Sequence, residues 1–204
     1  MKAGRPRDAA SLIALHRKGG EWRVLMGRRS TRTRFMPEVW VFPGGRVDRE
    51  DRTSEALSPL NPAVARRLRA RHAHPHALAI AALRETFEET GVAVGPADGD
   101  SMLPDLARLD YVGRAITPAG NPVRYHARFF CIEWQGREPK LRGNGELEEL
   151  AWLPIEEVLA LPTVDVTDLM LEEALDRVRS GAGARRRSLF VYYRGMRPHV
   201  RREP

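Results

Sequence analysis

Three glutamates and an arginine lie close together in the segment AIAALRETFEETGV, residues 79–92. At about 100° per residue in a helix, the side chains of Glu85, Glu88 and Glu89 fall on one face. The apolar side chains of the segment centre on the other side, at Ile80, Leu83 and Phe87. The pattern predicts a helix that packs through one face and can bind a cation with the other.

Clustered carboxylates need a compensating charge. Like charges three or four residues apart cost a helix about 0.2–0.5 kcal/mol per pair. Mg²⁺ offsets this cost, because it is bound in proteins by a few carboxylates together with substrate phosphates. Arg84 stands four residues before Glu88 and can orient its carboxylate, and Gly91 is expected to end the helix in a left-handed conformation. The alternative interpretation is a solvated acidic face.

A second motif lies upstream, where Val41–Asp48 reads VFPGGRVD. A strand end runs there into Pro-Gly-Gly, a turn in which the backbone can approach a ligand closely. Together the two motifs resemble the box of the Nudix hydrolase family. The matching positions are Gly45, Arg84, Glu85, Glu88, Glu89, Gly91 and Val92.

The resemblance has three departures. Asp51 stands where the family has the first glutamate of the box, and Thr86 stands where an apolar residue is usual. The spacer of seven residues in the family is here 32 residues, Arg52 to Leu83, so about 25 residues are inserted. We therefore expect one domain over residues 1–204, with an inserted helical segment at about 52–78.

The resemblance implies an α/β protein with the Nudix fold, an α/β/α sandwich around a mixed β-sheet. It implies hydrolysis of a diphosphate linkage in a nucleoside diphosphate derivative, with Mg²⁺ or Mn²⁺ as cofactor. The implied metal ligands are Glu85, Glu88, Glu89 and a backbone carbonyl near Gly45, with Arg84 positioning a carboxylate. Glu146, six residues before Trp152, matches a family glutamate that binds metal or acts as general base; Glu148 and Glu149 are the next candidates at this position. One of the helix glutamates is the alternative general base.

The segment before the box also resembles Nudix enzymes that cleave coenzyme A and its thioesters. The matching residues are Leu25, Arg29, Ser30, Arg34, Phe42, Pro43, Gly44 and Gly45, whereas Gly27 and Glu38 depart from the pattern. On this resemblance Arg29, Arg34 and Phe42 bind substrate, and the arginines suit an additional phosphate group. Solvated arginines are the alternative, and ADP-ribose, dinucleoside polyphosphates or other nucleotides are the alternative substrates.

Charge is distributed unevenly along the chain. The net charge is +7; residues 1–38 carry ten Lys/Arg against three Asp/Glu, and residues 185–204 carry seven against one. Basic ends attract polyanions, so a catalytically silent Nudix-fold protein that binds nucleotide or RNA is the alternative from another class. We favour a small-molecule diphosphate as partner over nucleic acid, and the family resemblance suggests a homodimer.

Composition sets further limits. With 42% apolar residues the chain can bury one core, and the single cysteine, Cys131, excludes an internal disulfide. No apolar run approaches ~18 residues and no signal peptide is recognisable, so we expect a soluble cytoplasmic protein without membrane contact.

Local patterns predict the remaining elements. Strands are expected at 11–17, 22–28, 39–42, 109–117 and 124–134, and the first two should form a hairpin through the turn Lys18-Gly19-Gly20-Glu21. Helices are expected at 62–73, 155–161 and 167–179. The alternating His72, His74 and His76 suggest a metal site only weakly, and His74 can start the main helix instead. Residues from about 180 to 204 are expected to be a basic extension in which Leu189–Tyr193 can form a late strand.

Overall fold

The computed structural model describes residues 4–31, 37–68, 74–181 and 187–204. Within these ranges nine strands form one sheet. They are β1 (Arg7–Lys18), β2 (Glu21–Arg29), β3 (Trp40–Val41), β4 (Gly44–Arg46), β7 (Asp110–Ile116), β8 (Tyr125–Trp134), β9 (Leu147–Pro154), β10 (Ser188–Arg194) and β11 (Arg197–Glu203). A separate small hairpin consists of β5 (Ala97–Asp98) and β6 (Ser101–Met102).

The large sheet is mixed. Its order is β11-β10-β7-β8-β1-β2-β3, with β4 beside β1 and β9 beside β2. The pairs β1–β8 and β7–β10 are parallel, and the other pairs are antiparallel. The predicted hairpin between β1 and β2 is present, and it turns at Gly19 and Gly20, which both have positive φ.

Helices cover both faces of the sheet. They are α1 (Pro62–Leu68), α2 (Pro75–Thr90), α3 (Ile155–Val158) and α4 (Asp165–Ser180), and 3₁₀ turns lie at Glu50–Arg52 and Leu106–Arg108. Side chains alternate along β1, so that Leu12 and Ala14 face α1 and α2, whereas Ile13 and Leu15 face α3 and α4. The α/β/α sandwich predicted from the sequence is confirmed. None of the helices in the described ranges is long and apolar enough to cross a membrane.

The helix α2 is buried on more sides than expected for a helix with one packing face and one exposed, cation-binding face. Every residue from Ala77 to Leu83 is buried, and so are Thr86 and Glu89. Phe87, which we expected on the packing face, is only partly buried. The helix ends at Gly91 with φ 73°, as predicted. One of the three candidate carboxylates therefore belongs to the protein interior.

The segment between β4 and α2 packs onto the core. Asn61 Oδ1 accepts a hydrogen bond from the Ala63 N–H at 2.9 Å, and α1 buries Val64 and Leu68. The predicted helix continued to residue 73, but residues 69–73, including His72, lie outside the described ranges. His74 caps α2 by accepting a hydrogen bond from the Ala77 N–H at 3.4 Å. This cap gives His74 a structural role.

The C-terminal region differs from the expected basic extension. Strands β10 and β11 form a hairpin, and β10 adds to the sheet through parallel pairing with β7. Arg114 on β7 donates two hydrogen bonds to Glu203 on β11, at 2.7 and 2.9 Å. The sequence concealed this sheet extension for two reasons: the edge strand β11 is rich in basic residues, and β7, the other neighbour of β10, is distant in the chain.

A buried chain of alternating charges connects α1, β7, α4 and β11. Asp110 accepts from Arg67 at 3.3 Å and from Arg177 at 3.2 Å. Arg177 also contacts Glu173 at 3.1 Å, and Glu173 contacts Arg202 at 2.8 Å. Because the Arg177 side chain is 1% exposed, this network connects the segment after β4 to the C-terminal hairpin through the interior.

Candidate active site

Two segments that are distant in sequence meet beside the C-terminal half of α2. The Gly44 N–H donates a hydrogen bond to Glu89 Oε2 at 2.8 Å. A Cβ atom at Gly45 would lie 2.3 Å from the Glu85 carboxyl group, so a larger residue there would push this carboxyl group from its position beside β4. The Pro-Gly-Gly turn therefore forms one wall of a carboxylate site.

Arg84 organises the exposed part of this site. Its guanidinium donates to both carboxylate oxygens of Asp51, at 2.9 and 3.2 Å. The Nη1 atom also contacts Glu85 Oε1 at 3.0 Å and Glu88 Oε2 at 3.2 Å. Burial lowers the Arg84 pKa, but the hydrogen bonds to Asp51 and the charges of the glutamates outweigh burial and raise it. Arg84 thus stays charged and holds two of the glutamates.

Glu89 and Glu85 are costly to ionise. Burial raises the pKa of Glu89 to about 8; the Gly44 N–H and Arg29 oppose this rise, and the charges of Glu85 and Glu146 add to it. Burial also raises the pKa of Glu85, and Arg84 partly offsets the effect. These carboxylates therefore form a region with a deficit of positive charge.

Glu146 lies on the loop before β9, and its charge acts on Glu85 and Glu89. Its carbonyl accepts a hydrogen bond from the Ser30 N–H at 3.4 Å, and its N–H donates to Asn144 Oδ1 at 2.9 Å. The other two candidates in this region, Glu148 and Glu149, both pair with Arg28. Of the three glutamates, Glu146 is the one that contributes charge to the carboxylate site.

Comparison with known proteins identifies this arrangement. Residues 75–173, which include α2 and Glu146, match the model of the NUDIX domain. This chain has the Nudix fold. It is a pyrophosphohydrolase acting on nucleoside diphosphate derivatives. The model match begins after Gly45 and Asp51 and so does not include the first half of the box.

Solved structures with these names share the fold of this chain. A NUDIX hydrolase from Alicyclobacillus acidocaldarius is 28% identical, with 84% of this chain and 92% of that chain covered and a TM-score of 0.64. The NUDIX domain of Shewanella oneidensis NrtR, complexed with ADP ribose, is 14% identical, with 86% and 90% covered and a TM-score of 0.56. An Ap4A hydrolase from C. elegans is 16% identical, with 86% and 98% covered and a TM-score of 0.51. No curated protein matches the chain.

The carboxylate site of the Nudix domain suits a divalent cation in its donor chemistry. Glu85, Glu88 and Glu89 supply oxygen atoms, which hard cations such as Mg²⁺ prefer. The raised pKa values of Glu85, which is partly buried, and of Glu89, which is buried, show that the site lacks positive charge. Within the described ranges, however, no three acidic, histidine or cysteine side chains are already arranged around a common ion position. Arg84 occupies oxygen atoms of Glu85 and Glu88 in this conformation.

The predicted substrate residues have different surroundings. Arg29 is close enough to Glu89 to lower its pKa, which places its charge beside the site. Arg34 lies outside the described residues. Phe42 is 5% exposed and packs edge-on against Phe129 at 6.4 Å, on the α4 side of the sheet. The structure therefore gives Phe42 a packing role and leaves almost none of its ring for a substrate.

In the sequence, Asp51 and Thr86 stand out only as departures from the family box, and the structure gives both a role. Asp51 is 1% exposed and is the bidentate partner of Arg84, 33 residues away. The Thr86 hydroxyl donates to the Ala82 carbonyl at 2.7 Å, which satisfies it inside the core. The position of Asp51 in the box was the available signal for its role, but the long spacer concealed the contact.

Gly45→Ala is expected to reduce turnover by about 100-fold while changing the free energy of unfolding little. The added methyl group would displace the flexible end of the Glu85 side chain rather than backbone, and a displacement of about 1 Å can cost that factor in rate. Steady-state kinetics and denaturant unfolding measure the two effects. Gly120→Ala, in the exposed turn between β7 and β8, is the control, because no atom lies near the added methyl group and the backbone there is not left-handed. Normal turnover of Gly45→Ala would contradict the close approach of β4 to Glu85.

Glu38→Gly is expected to stabilise the protein by about 0.5–1 kcal/mol. Glu38 has φ 61°, a left-handed conformation that glycine adopts without strain. Glycine is also the residue that the coenzyme A pattern resembled in the sequence has at this position. Glu38→Ala is the control, because it removes the same carboxylate and keeps the strain. Denaturant unfolding should show a gain for glycine alone; equal effects of both variants would refute the explanation.

Proposed function

We propose that this Nudix domain hydrolyses the diphosphate linkage of coenzyme A or acyl-coenzyme A with Mg²⁺ or Mn²⁺. The observation that carries the proposal is the contact of the Gly44–Gly45 turn with Glu85 and Glu89. This contact places the Pro-Gly-Gly turn, which the resemblance puts beside the substrate, against the acidic face of α2. Arg84 and Asp51 complete the same cluster.

In this proposal the metal ligands are Glu85, Glu88, Glu89 and the backbone carbonyl near Gly45. A bound divalent cation neutralises diphosphate charge and lowers the pKa of the attacking water. Arg84 keeps Glu85 and Glu88 oriented, because Asp51 holds its guanidinium from the other side. Glu85 and Glu88 both contact Arg84 in this structure, and each would give up part of that contact to bind the cation.

Glu146 is the proposed general base. Its charge reaches Glu85 and Glu89, and hydrogen bonds to Ser30 and Asn144 position its backbone. As an exposed residue it can accept a proton from water and return it to solvent. A positioned base of this kind contributes ~10²–10⁴ in rate. The pairing of Glu148 and Glu149 with Arg28 disfavours both as bases.

We propose further that residues 52–78 are an insertion within the Nudix box. Asp51 stands just before the segment and Arg84 follows it, yet the two side chains form a bidentate ion pair. The segment leaves the site at the 3₁₀ turn, packs α1 on the core and returns at the start of α2. The box geometry is thereby compatible with a long spacer.

The choice of coenzyme A rests on the residues between Leu25 and Gly45. Arg29 places positive charge beside Glu89, and Ser30 is buried next to the Glu146 backbone. Glu38 stands where the pattern has glycine, and its φ of 61° is one that glycine adopts without strain. Gly27 departs from the pattern because a Cβ there would lie 2.7 Å from the Leu150 side chain on the neighbouring segment.

ADP-ribose and dinucleoside polyphosphates are the alternative substrates. They occur in the names of the Shewanella and C. elegans structures, but at 14% and 16% identity these structures share only the fold with this chain. The test is Mg²⁺- or Mn²⁺-dependent turnover of coenzyme A, acetyl-coenzyme A, ADP-ribose and a dinucleoside polyphosphate, with products identified by mass. Release of 4′-phosphopantetheine and 3′,5′-ADP supports the proposal. Cleavage of the other substrates alone refutes coenzyme A and keeps the diphosphatase mechanism.

A substrate pair tests the role of Arg29 directly. Dephospho-coenzyme A lacks the 3′-phosphate, so a residue that binds this group contributes nothing to its cleavage. Arg29→Gln should raise KM for coenzyme A and leave KM for dephospho-coenzyme A unchanged. Arg17→Gln, an exposed arginine on β1, is the matched control. An equal rise for both substrates would assign Arg29 to the carboxylate site instead.

A further inference from the structure

Arg28, near the end of β2, pairs with carboxylates from the two segments that flank this strand. Its guanidinium donates hydrogen bonds to Glu149 at 2.9 Å and to Glu148 at 3.3 Å, both on β9. It also lies 3.8 Å from the carboxylate of Glu38, in the segment before β3. The Arg28 side chain is 20% exposed, so one partly buried guanidinium contacts three glutamates.

Two of these glutamates have an unfavourable backbone conformation. Glu38 has φ 61° and Glu149 has φ 51°, and no other non-glycine residue in the ranges that the structure describes has a positive φ. Such left-handed conformations persist only where the surroundings fix them. Both residues contact the same guanidinium. Arg28 therefore helps to hold strained backbone on both sides of β2.

A β-bulge separates two stretches of the ladder between β2 and β9. Glu149 and Leu150 of β9 stand opposite a single residue of β2, Gly27, between the strand pairs on either side. Bulges of this kind bend a strand and redirect the side chains next to them. Glu146 precedes the strained Glu149 of the bulge by three residues, so the bulge influences where Glu146 leaves the sheet.

The end of β2 connects this bulge to the candidate active site. Arg29 pairs with Leu147, and the Ser30 N–H donates to the Glu146 carbonyl at 3.4 Å. The charges of Arg29 and Glu146 both act on Glu89. A shift of the bulge would therefore move Glu146 relative to the carboxylates of α2.

We propose that Arg28 is a positioning residue, which holds Glu146 beside the carboxylates of α2 by fixing the β9 bulge. The inference rests on the proposed function, in which Glu146 is the general base. Without the guanidinium, three like charges remain close together, and the left-handed backbone of Glu149 loses the contact that holds it. The segment from Glu146 to Glu149 then relaxes, and a displacement of about 1 Å can cost ~10²-fold in rate.

A double-mutant cycle on kcat tests whether Arg28 acts through Glu146. Arg28→Gln should lower kcat by about 10–100-fold, with a smaller change in KM. In the Glu146→Gln background the same substitution should lower kcat by about twofold at most, because the base that it displaces is already absent. If Arg28→Gln fails to fold, Arg28→Lys takes its place, because lysine keeps the charge but lacks the planar fork of donors.

Arg23→Gln is the matched control. Arg23 lies near the other end of β2, its side chain is 27% exposed, and it contacts Glu21 at 3.2 Å and Glu138 at 3.7 Å. Its loss should leave kcat unchanged. Adding Glu149→Gly to Arg28→Gln should restore part of the rate, because glycine adopts φ 51° without strain, whereas adding Glu149→Ala should restore less. Equal recovery with both residues would contradict the role of the bulge.

Amide hydrogen exchange in the metal-free protein separates this inference from the proposed function. The Ser30 amide, which donates to the Glu146 carbonyl, should exchange faster in Arg28→Gln and at the original rate in Arg23→Gln. Unchanged exchange in Arg28→Gln would overturn the inference, and so would independent, multiplicative losses of kcat from Arg28→Gln and Glu146→Gln. A protein that cleaves none of the diphosphates would overturn the proposed function alone, because the Ser30 amide reports on the β9 segment without substrate.

Discussion

Replacing Glu89 with glutamine is expected to lower turnover by ~10²–10⁴-fold and, without divalent metal, to stabilise the protein. Glu89 is 5% exposed and accepts one hydrogen bond from the Gly44 N–H. Glutamine retains an oxygen that can accept this bond, but it supplies no charge for a cation. A residue that we propose as a metal ligand is therefore one whose charge opposes folding.

The sign of the stability effect follows from the pKa of Glu89. Burial raises this pKa to about 8 in the folded protein, above the ordinary glutamate value of about 4.3 in the unfolded chain. The folded state binds more protons between these values, so metal-free protein gains stability as pH falls from about 8 toward 4.3. At pH 7, Glu89→Gln should therefore gain about 1–3 kcal/mol, and it should lose this part of the pH dependence.

Glu88→Gln is the matched comparison for Glu89. Its side chain is 49% exposed and pairs with Arg84, so the substitution should remove nearly all turnover with little change in folding. Denaturant unfolding in EDTA, measured at pH 5, 7 and 8.5, separates the two variants. Near-normal activity of Glu88→Gln would contradict the metal assignment, and unchanged stability of Glu89→Gln would contradict the buried charge.

Asp110→Ala is expected to destabilise the fold by about 3–5 kcal/mol. Asp110 pairs with Arg67, whose side chain is 9% exposed, and with Arg177, whose side chain is 1% exposed. Its removal leaves two buried guanidinium groups without the carboxylate that both contact. The loss should appear in denaturant unfolding as a lower midpoint, and it is a large fraction of the stability of an ordinary domain.

Asp100→Ala is the control for this substitution. Asp100 also pairs with an arginine, Arg142, but the two side chains are 93% and 68% exposed. Exposed ion pairs contribute little, so this variant should unfold almost as the original protein does. Similar losses in both variants would show that the buried network has no special role. Asp110→Asn keeps the side-chain volume and tests whether the lost charge rather than a cavity causes the effect.

Local patterns were sufficient for much of the fold. The period of the apolar residues predicted α2 and its end at Gly91, and glycine pairs predicted the β1–β2 turn. These features depend on residues within one or two turns of each other. The β10–β11 hairpin was not predicted as a sheet extension, because its partner β7 is more than 70 residues earlier and its edge is rich in arginine.

The features of the candidate site also fall into two groups: those that local sequence predicted and those that tertiary structure decided. Helical spacing alone determined that Arg84, Glu85, Glu88 and Glu89 lie together, since each turn of a helix brings back residues three and four apart. The resemblance to the Nudix box then suggested the chemistry. The contact of Asp51 with Arg84 across 33 residues was decided by tertiary structure, and so was the approach of Gly44 to Glu89.

The sequence by itself therefore determined which charged groups share a helix and which chemistry they suit. Only the tertiary structure decided that Glu89 is buried while Glu88 is half exposed. It also decided that Phe42 packs against Phe129, away from the site. The physical reason is that spacing along a helix is a local property, whereas desolvation depends on which distant segments cover each side chain.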